Sequence, residues 1–136
     1  MEIQYTPDDQ LLTPEEFLIL VQQVWPGQYD LPSTTQALKR TINITARENG
    51  QLVGCVRILT DGRYFGTVTE ILVLSHYQRR GIGSRLMELV KQTTPTTLYF
   101  GAQPGKEEFY LKNGFTPGLP SFTYRPAPKT GPASSS

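Results

Sequence analysis

The sequence predicts one α/β domain of the α+β type: a mixed, mostly antiparallel sheet with one parallel strand pair, flanked by helices. Three observations carry this. β-branched runs at 42–47 and 52–59 flank Glu48-Asn49-Gly50-Gln51, and Asn-Gly between two such runs is a strong hairpin signal. The 33 residues from Val68 to Phe100 read strand, loop, helix, strand. That is the length of a right-handed βαβ crossover, about 30 residues or more, so its two strands should run parallel. Finally, 136 residues with 38% apolar side chains suffice for one core and are too few for two ordinary domains.

The elements follow in order. Met1–Tyr5 reads as an edge strand before the turn Thr6-Pro7-Asp8-Asp9. Thr13-Pro14-Glu15-Glu16 offers a hydroxyl N-cap, a proline at the first helical position and a glutamate at the third, so a helix starts there. Phe17, Leu20, Val21 and Val24 keep its apolar stripe until Trp25-Pro26-Gly27. Ser33–Arg40 reads as a shorter helix. The two β-branched runs come next, then the turn Asp61-Gly62 and a third strand over Tyr64–Leu74, completing an antiparallel meander. Leu86, Met87, Leu89 and Val90 stripe a helix over about 83–93, and Thr97–Gly101 is a short apolar strand. Lys106–Asn113 reads as a helix closed by Gly114, with Phe115 and Phe122–Tyr124 available as closing strands. Five of the 11 prolines lie in the last 20 residues, and PAPKTGPASSS has no apolar residue larger than alanine. The domain is therefore expected over 1–125 and a disordered tail over 126–136.

Thirteen Lys and Arg against 12 Asp and Glu leave a formal charge of +1. Nucleic-acid and anionic-membrane binders carry a basic excess, so neither partner is expected, and any anion must be held locally. One cysteine cannot form an intramolecular disulfide. No apolar run is long enough to span a membrane, and MEIQYTPDDQ lacks the apolar segment of a signal peptide. A cytoplasmic protein is expected.

The most informative stretch runs from Leu72 through Ser84, LVLSHYQRRGIGS, where an apolar strand breaks into a glycine-containing loop and enters a helix. The first N–H groups of that helix lack intrahelical partners, and the macrodipole adds about half a positive charge, so together they form an anion site. Gly81 and Gly83 allow the backbone to approach a ligand, and Arg79, Arg80 and Arg85 add local positive charge. That suits a pyrophosphate. A Walker loop is excluded because no Gly-Lys-Ser/Thr follows, and a dinucleotide fingerprint fails because Leu86 stands where the third glycine belongs.

Read whole, Val73–Gly83 is V-x(4)-Q-x-x-G-x-G, which resembles the acyl-CoA pyrophosphate loop of the GNAT acetyltransferase superfamily. Phe109-Tyr110-Leu111-Lys112-Asn113-Gly114-Phe115 resembles that superfamily's second signature, an aromatic pair on a short helix closed by Gly-Phe. The element order over roughly 1–125 agrees with it. Two positions depart from the common pattern: Ser75 replaces a proline two residues after the valine, and Gln103 replaces an asparagine seven residues before the tyrosine.

The resemblance implies transfer of an acetyl group from acetyl-CoA to a primary amine, directly and within a ternary complex. It implies a splayed central strand pair, with the pantetheine arm lying against Leu72 and Val73 as an added strand would. The amides of Gln78, Arg79, Arg80, Gly81, Ile82, Gly83 and Ser84 would hold the pyrophosphate, with Gln103 and Phe109 as further cofactor contacts. Tyr110 would meet the leaving thiolate. An amine with pKa near 10.4 must be presented neutral, which costs about 4.6 kcal/mol at pH 7. Glu70, the one acid on the central strand, shares parity with Leu72 and is the candidate base; ordered water is the alternative. The other reading of Glu70 is a paired or edge-facing carboxylate. His76 is expected to be structural or to flank the cofactor, and Cys55 to be a packed core residue. A small amine is favoured over a protein lysine, with Trp25, Tyr29, Arg63, Tyr64 and Phe65 as candidate pocket residues. The competing class is a catalytically inactive acyl-CoA-binding regulatory module. Both monomer and homodimer remain open.

Overall fold

The computed structural model describes residues 2–127. The chain runs β1 (Gln4–Thr6), α1 (Pro14–Val24), α2 (Leu31–Lys39), β2 (Ile42–Glu48), β3 (Gln51–Thr60), β4 (Gly66–Val73), α3 (Ile82–Thr93) and α4 (Glu107–Lys112). The four strands form one antiparallel sheet in chain order.

Local chemistry accounts for the element ends. Thr13 Oγ1 accepts from the Glu16 N–H at 3.2 Å, and Glu16 Oε2 accepts from the Thr13 N–H at 2.9 Å, a complete capping box. In α2, Asp30 caps the Ser33 N–H at 2.7 Å and Pro32 occupies the first turn, so the helix starts two residues before Ser33. At the β2–β3 hairpin, Asn49 (φ 51°) and Gly50 (φ 81°) both adopt the left-handed conformation that a two-residue type I′ turn demands.

The sheet separates two apolar cores. Ile44, Val56, Ile58, Leu86, Met87 and Val90 pack on the α3 face. Phe17, Leu20, Val21, Leu38, Cys55 and Leu72 pack on the α1/α2 face. Strand parity assigns the residues: Cys55 lies opposite Leu72, and Val56 opposite Ile71, on alternate faces of adjacent strands. Each fully buried side chain contributes about 1.5–3 kcal/mol. Cys55 is fully buried, as expected, and that burial pushes its thiol well above the ordinary cysteine range.

The ladder between β3 and β4 is interrupted once. Arg57 pairs with Glu70 and Ile58 with Val68, so Thr69 is an extra residue on β4 with nothing opposite it. This is a β-bulge; it bends the strand and resets its alternation.

Two expectations are corrected here. The strand over Thr97–Gly101 is reduced to a single parallel bridge, Leu98 with Gly66, in which the Tyr99 N–H donates to the Gly66 carbonyl at 2.9 Å. The approach is close because Gly66 lacks a Cβ, which would lie 2.8 Å from Leu98 Cδ2 and Thr96 Oγ1. Among the described residues no further pair forms beyond it. The closing strands also do not form. Phe115 joins an aromatic cluster, while Phe122 and Tyr124 are 96% and 85% exposed between Pro120 and Pro126, with no strand alongside. The expected tail at 126–136 lies outside the described residues from 128 onward, as does Met1 of the expected first strand.

A polar knot fixes α1 to the sheet. The Arg47 guanidinium binds both Glu16 oxygens at 2.8 Å and Asp9 Oδ2 at 3.1 Å through Nε, while Thr45 Oγ1 donates to Asp9 at 2.8 Å. Burial alone would raise the Asp9 carboxyl, but the hydrogen bonds from Thr45, the Leu11 N–H and Arg47 outweigh it and hold it low. Arg47 hydrogen bonds hold Glu16 low as well, against its partial burial. Folded pKa values below unfolded ones mean stability that is present above the ordinary carboxylate range and lost as pH falls through it. We expect the urea midpoint to be flat above about pH 5 and to drop below about pH 4. The deficit of Asp9→Asn should be largest at neutral pH and shrink on acidification. A deficit that does not change with pH would show that the knot contributes no proton linkage.

Candidate active site

Beyond β4 the chain makes one 3-10 turn at Ser75–Tyr77, which carries the exposed His76, and then the loop to α3. The Gln78 side chain donates to the Val73 carbonyl at 2.9 Å, folding the loop back on the strand end. Arg79 (φ 64°) and Gly81 (φ 83°) are both left-handed, which turns successive peptide N–H groups toward one side. Gly81 is the N-cap of α3, and no side chain caps that end. The first intrahelical bond is Arg85 N–H to Gly81 O at 3.0 Å, so the N–H groups of Ile82, Gly83 and Ser84 have no partner within the helix. Ile82 itself is buried in the core and anchors this end of α3 there. Free donors, a helix dipole and no Cβ at Gly81 fit the pyrophosphate of an acyl-CoA.

The loop has further anchors that the sequence did not reveal. The Tyr77 hydroxyl donates to the Glu48 carboxylate at the end of β2, which raises the Tyr77 phenol, with partial burial adding to the effect. The Arg80 guanidinium lies 5.3 Å from the Tyr77 ring centroid, and Arg85 lies 5.8 Å from that of Tyr5. Gln78 and Arg79 are exposed. Leu72 is buried, with its side chain in the α1/α2 core, so only its backbone is available to a ligand.

Short helix α4 lies against the start of α3. A Cβ at Gly83 would sit 3.4 Å from the Phe109 ring, so Gly83 is the seat on which Phe109 rests. Tyr110 packs against Phe100 and Phe109 with ring centroids at 5.1 Å, and against Phe115 at 6.2 Å. Burial pushes its phenol up. Gly114 (φ 89°) ends this segment, and Lys91 Nζ donates to the Asn113 carbonyl at 2.8 Å. Gln103 is exposed in the preceding turn, its carbonyl accepting from the Lys106 N–H at 2.9 Å.

On the opposite face of the sheet, α1, α2 and the centre of β3 and β4 enclose a cleft of about 410 Å³. The bulge brings both Thr69 and Glu70 to its lining, although neighbours on a regular strand point to opposite faces. Glu70 is doubly bound: Arg57 Nε and Nη2 both donate to its carboxylate, the latter at 3.0 Å. The guanidinium also lies 5.4 Å from the Phe17 ring centroid. Of the expected pocket aromatics, Trp25 and Tyr29 line this cleft. Arg63, Tyr64 and Phe65 do not; Tyr64 is 86% exposed, and Phe65 stacks on Tyr99 at 5.6 Å. They sit on the β3–β4 turn, at the far end of the strand from the loop. Arg57 and Thr69 were not singled out from the sequence, since their roles depend on cross-strand register.

A family model of the acetyltransferase (GNAT) domain matches residues 40–117, which span β2 through α4 and contain both the loop and Tyr110. The chain belongs to the GNAT acetyltransferase family. Comparison with curated proteins finds no match. Among solved structures, a GNAT-family acetyltransferase from Streptococcus pneumoniae is 25% identical, with a TM-score of 0.68 over 91% of this chain and 100% of that one. AAC(6')-Iy, in complex with the bisubstrate analogue CoA-S-monomethyl-acetylneamine, is 16% identical, with a TM-score of 0.74 over 93% and 99% of the two chains. The ribosomal-protein-S18-alanine N-acetyltransferase from Escherichia coli is also 16% identical, with a TM-score of 0.66 over 87% and 80%. No helix among the described residues is long and apolar enough to cross a membrane.

Proposed function

We propose that this protein transfers an acetyl group from acetyl-CoA to a small primary amine by direct attack within a ternary complex. The observation that carries the proposal is the uncapped, left-handed entry to α3 on one side of β4 and an acid-bearing cleft on the other. The amides from Gln78 through Ser84 hold the pyrophosphate, and the backbone of Leu72 and Val73 takes the pantetheine along the edge of β4 that the parted 97–101 segment leaves unpaired. Phe109 supports the loop from behind Gly83. Gln103 stands at the mouth of the α4 turn as a further cofactor contact.

In the reaction the amine nitrogen bonds to the acetyl carbon, the carbon–sulfur bond breaks, and the amine proton passes to Glu70. Tyr110 donates a hydrogen bond to the departing sulfur. Direct transfer needs no thiol nucleophile, in keeping with the burial of Cys55, the one cysteine of the sequence, and a reduced thiol suits the cytoplasm.

Acetyl-CoA should raise the melting temperature, because a ligand that binds only the native state stabilises it by about 2.7 kcal/mol at 100-fold above Kd. No heat and no thermal shift at millimolar acetyl-CoA would overturn the proposal. Binding without free-thiol release across a panel of amines would instead favour an inactive acyl-CoA-binding module.

A further inference from the structure

Resting on the reading above, we propose that Tyr77 and Glu48 are positioning residues for the donor. Their hydrogen bond clasps the loop before α3 to the β2–β3 hairpin and holds its amides in the arrangement that receives acyl-CoA.

The loop needs such a hold. Arg79 bears a side chain yet is left-handed, at φ 64°. That conformation is unfavourable for a residue with a Cβ and persists only where the surroundings over-determine it. On the far side of Arg79 the chain is fixed by Ile82, buried in the core. On the near side, the Tyr77 N–H donates to the Leu74 carbonyl at 2.8 Å, the Gln78 N–H to the Ser75 carbonyl at 3.3 Å, and the Gln78 side chain to the Val73 carbonyl. These bonds join residues 73–78 to one another, so they shape the turn without tying it to another element. Tyr77 supplies the tie. From Ser75 through Gly81 every residue is exposed except this one. Its ring packs against the α3-face core, and its hydroxyl reaches Glu48, 29 residues earlier. Glu48 is a firm point, because it ends β2 and pairs with Gln51 across the Asn49-Gly50 turn. Charge sharpens the inference. A carboxylate bonded one residue before the first amide of the cradle repels phosphates, so Glu48 aids the donor only through the geometry it imposes.

That opposition gives the test its sign. In calorimetric titrations with acetyl-CoA, Tyr77→Phe, which keeps the ring, and Glu48→Ala should each raise Kd about fivefold or more, although the second removes a repelling charge. The double variant should lose no more than either single one, within about twofold, because both break the same bond. Glu48→Gln, which retains an acceptor oxygen, should stay within about twofold of the parent. Without ligand, backbone order parameters of residues 78–84 should fall from about 0.85 toward about 0.6 in Tyr77→Phe and Glu48→Ala. A parental Kd in Tyr77→Phe, additive losses in the double variant, tighter binding in Glu48→Ala, or a Glu48→Gln loss equal to that of Glu48→Ala would each overturn the inference and leave the acetyltransferase reading standing. Absence of acetyl-CoA binding in the parent overturns the acetyltransferase reading, and the order parameters then decide the clasp by themselves.

Discussion

Tyr110→Phe is expected to lower kcat about 10²-fold or more while leaving the acetyl-CoA Kd within a few-fold. The departing group is a thiolate whose conjugate acid has a pKa near 8.5, whereas a free phenol sits near 10, so complete proton transfer from tyrosine is uphill by about 2 kcal/mol. The aromatic pocket makes it more so, since burial among Phe100, Phe109 and Phe115 pushes the phenol up. In the proposed mechanism Tyr110 therefore serves as a hydrogen-bond donor that strengthens as charge gathers on sulfur, and not as a poised acid. The sign of the shift gives a second check. The protonated phenol is the competent form, so any loss of kcat from its ionisation should lie above about pH 10, beyond the ordinary tyrosine range. Phenylalanine keeps the ring contacts, so the fold is conserved. Parental turnover in the variant, with chemistry shown to limit the rate, would remove Tyr110 from the mechanism.

Gly83→Val should weaken acetyl-CoA binding more than tenfold, above about 1.4 kcal/mol. Its cause is double. A branched side chain crowds the amides that face the pyrophosphate, and its methyl groups press on the Phe109 ring that already lies 3.4 Å from where a Cβ would stand. Displacing Phe109 disturbs Tyr110 beside it, so kcat should fall together with affinity. Gly83→Ala should lose far less, because 3.4 Å is ordinary contact. Arg79→Ala, which removes only an exposed side chain, should also lose less than valine at 83. If Arg79→Ala proves the more damaging of the two in titrations of folded variants, side-chain charge rather than the amide cradle holds the phosphates.

Much of this architecture was legible because its causes are local. The capping box at Thr13 and Glu16, the Asn49-Gly50 turn and the glycine loop into α3 are each written within a few neighbouring residues, and each forms as read. The parity linking Glu70 with Leu72 was legible too, since both lie beyond the bulge on the same side. What escaped depends on residues far apart in the chain. The Arg57–Glu70 pair requires knowing which residues of β3 and β4 stand opposite, and nothing around Thr69 announces that it is the extra residue. The Tyr77–Glu48 bond joins positions 29 residues apart. The strand expected at 97–101 failed for a related reason: its apolar pattern was real, but pairing depends on a distant strand, and among the described residues only Gly66 pairs with it.

The sheet also has a consequence for heredity. Its two faces carry separate cores, with the glycine loop, α3 and α4 built on one and the 410 Å³ cleft with α1 and α2 on the other. Substitutions farther apart than about 7–10 Å, with no shared partner, act nearly independently. On the proposed function, changes at Trp25, Tyr29 or Asp30, which line the cleft on the α1/α2 face, would alter the choice of amine more than the hold on the donor. Acceptor choice would then be a trait free to drift while the hold on the donor is inherited. The AAC(6')-Iy structure and the ribosomal-protein-S18-alanine N-acetyltransferase, each 16% identical to this chain, share this fold, and their descriptions specify different acceptors.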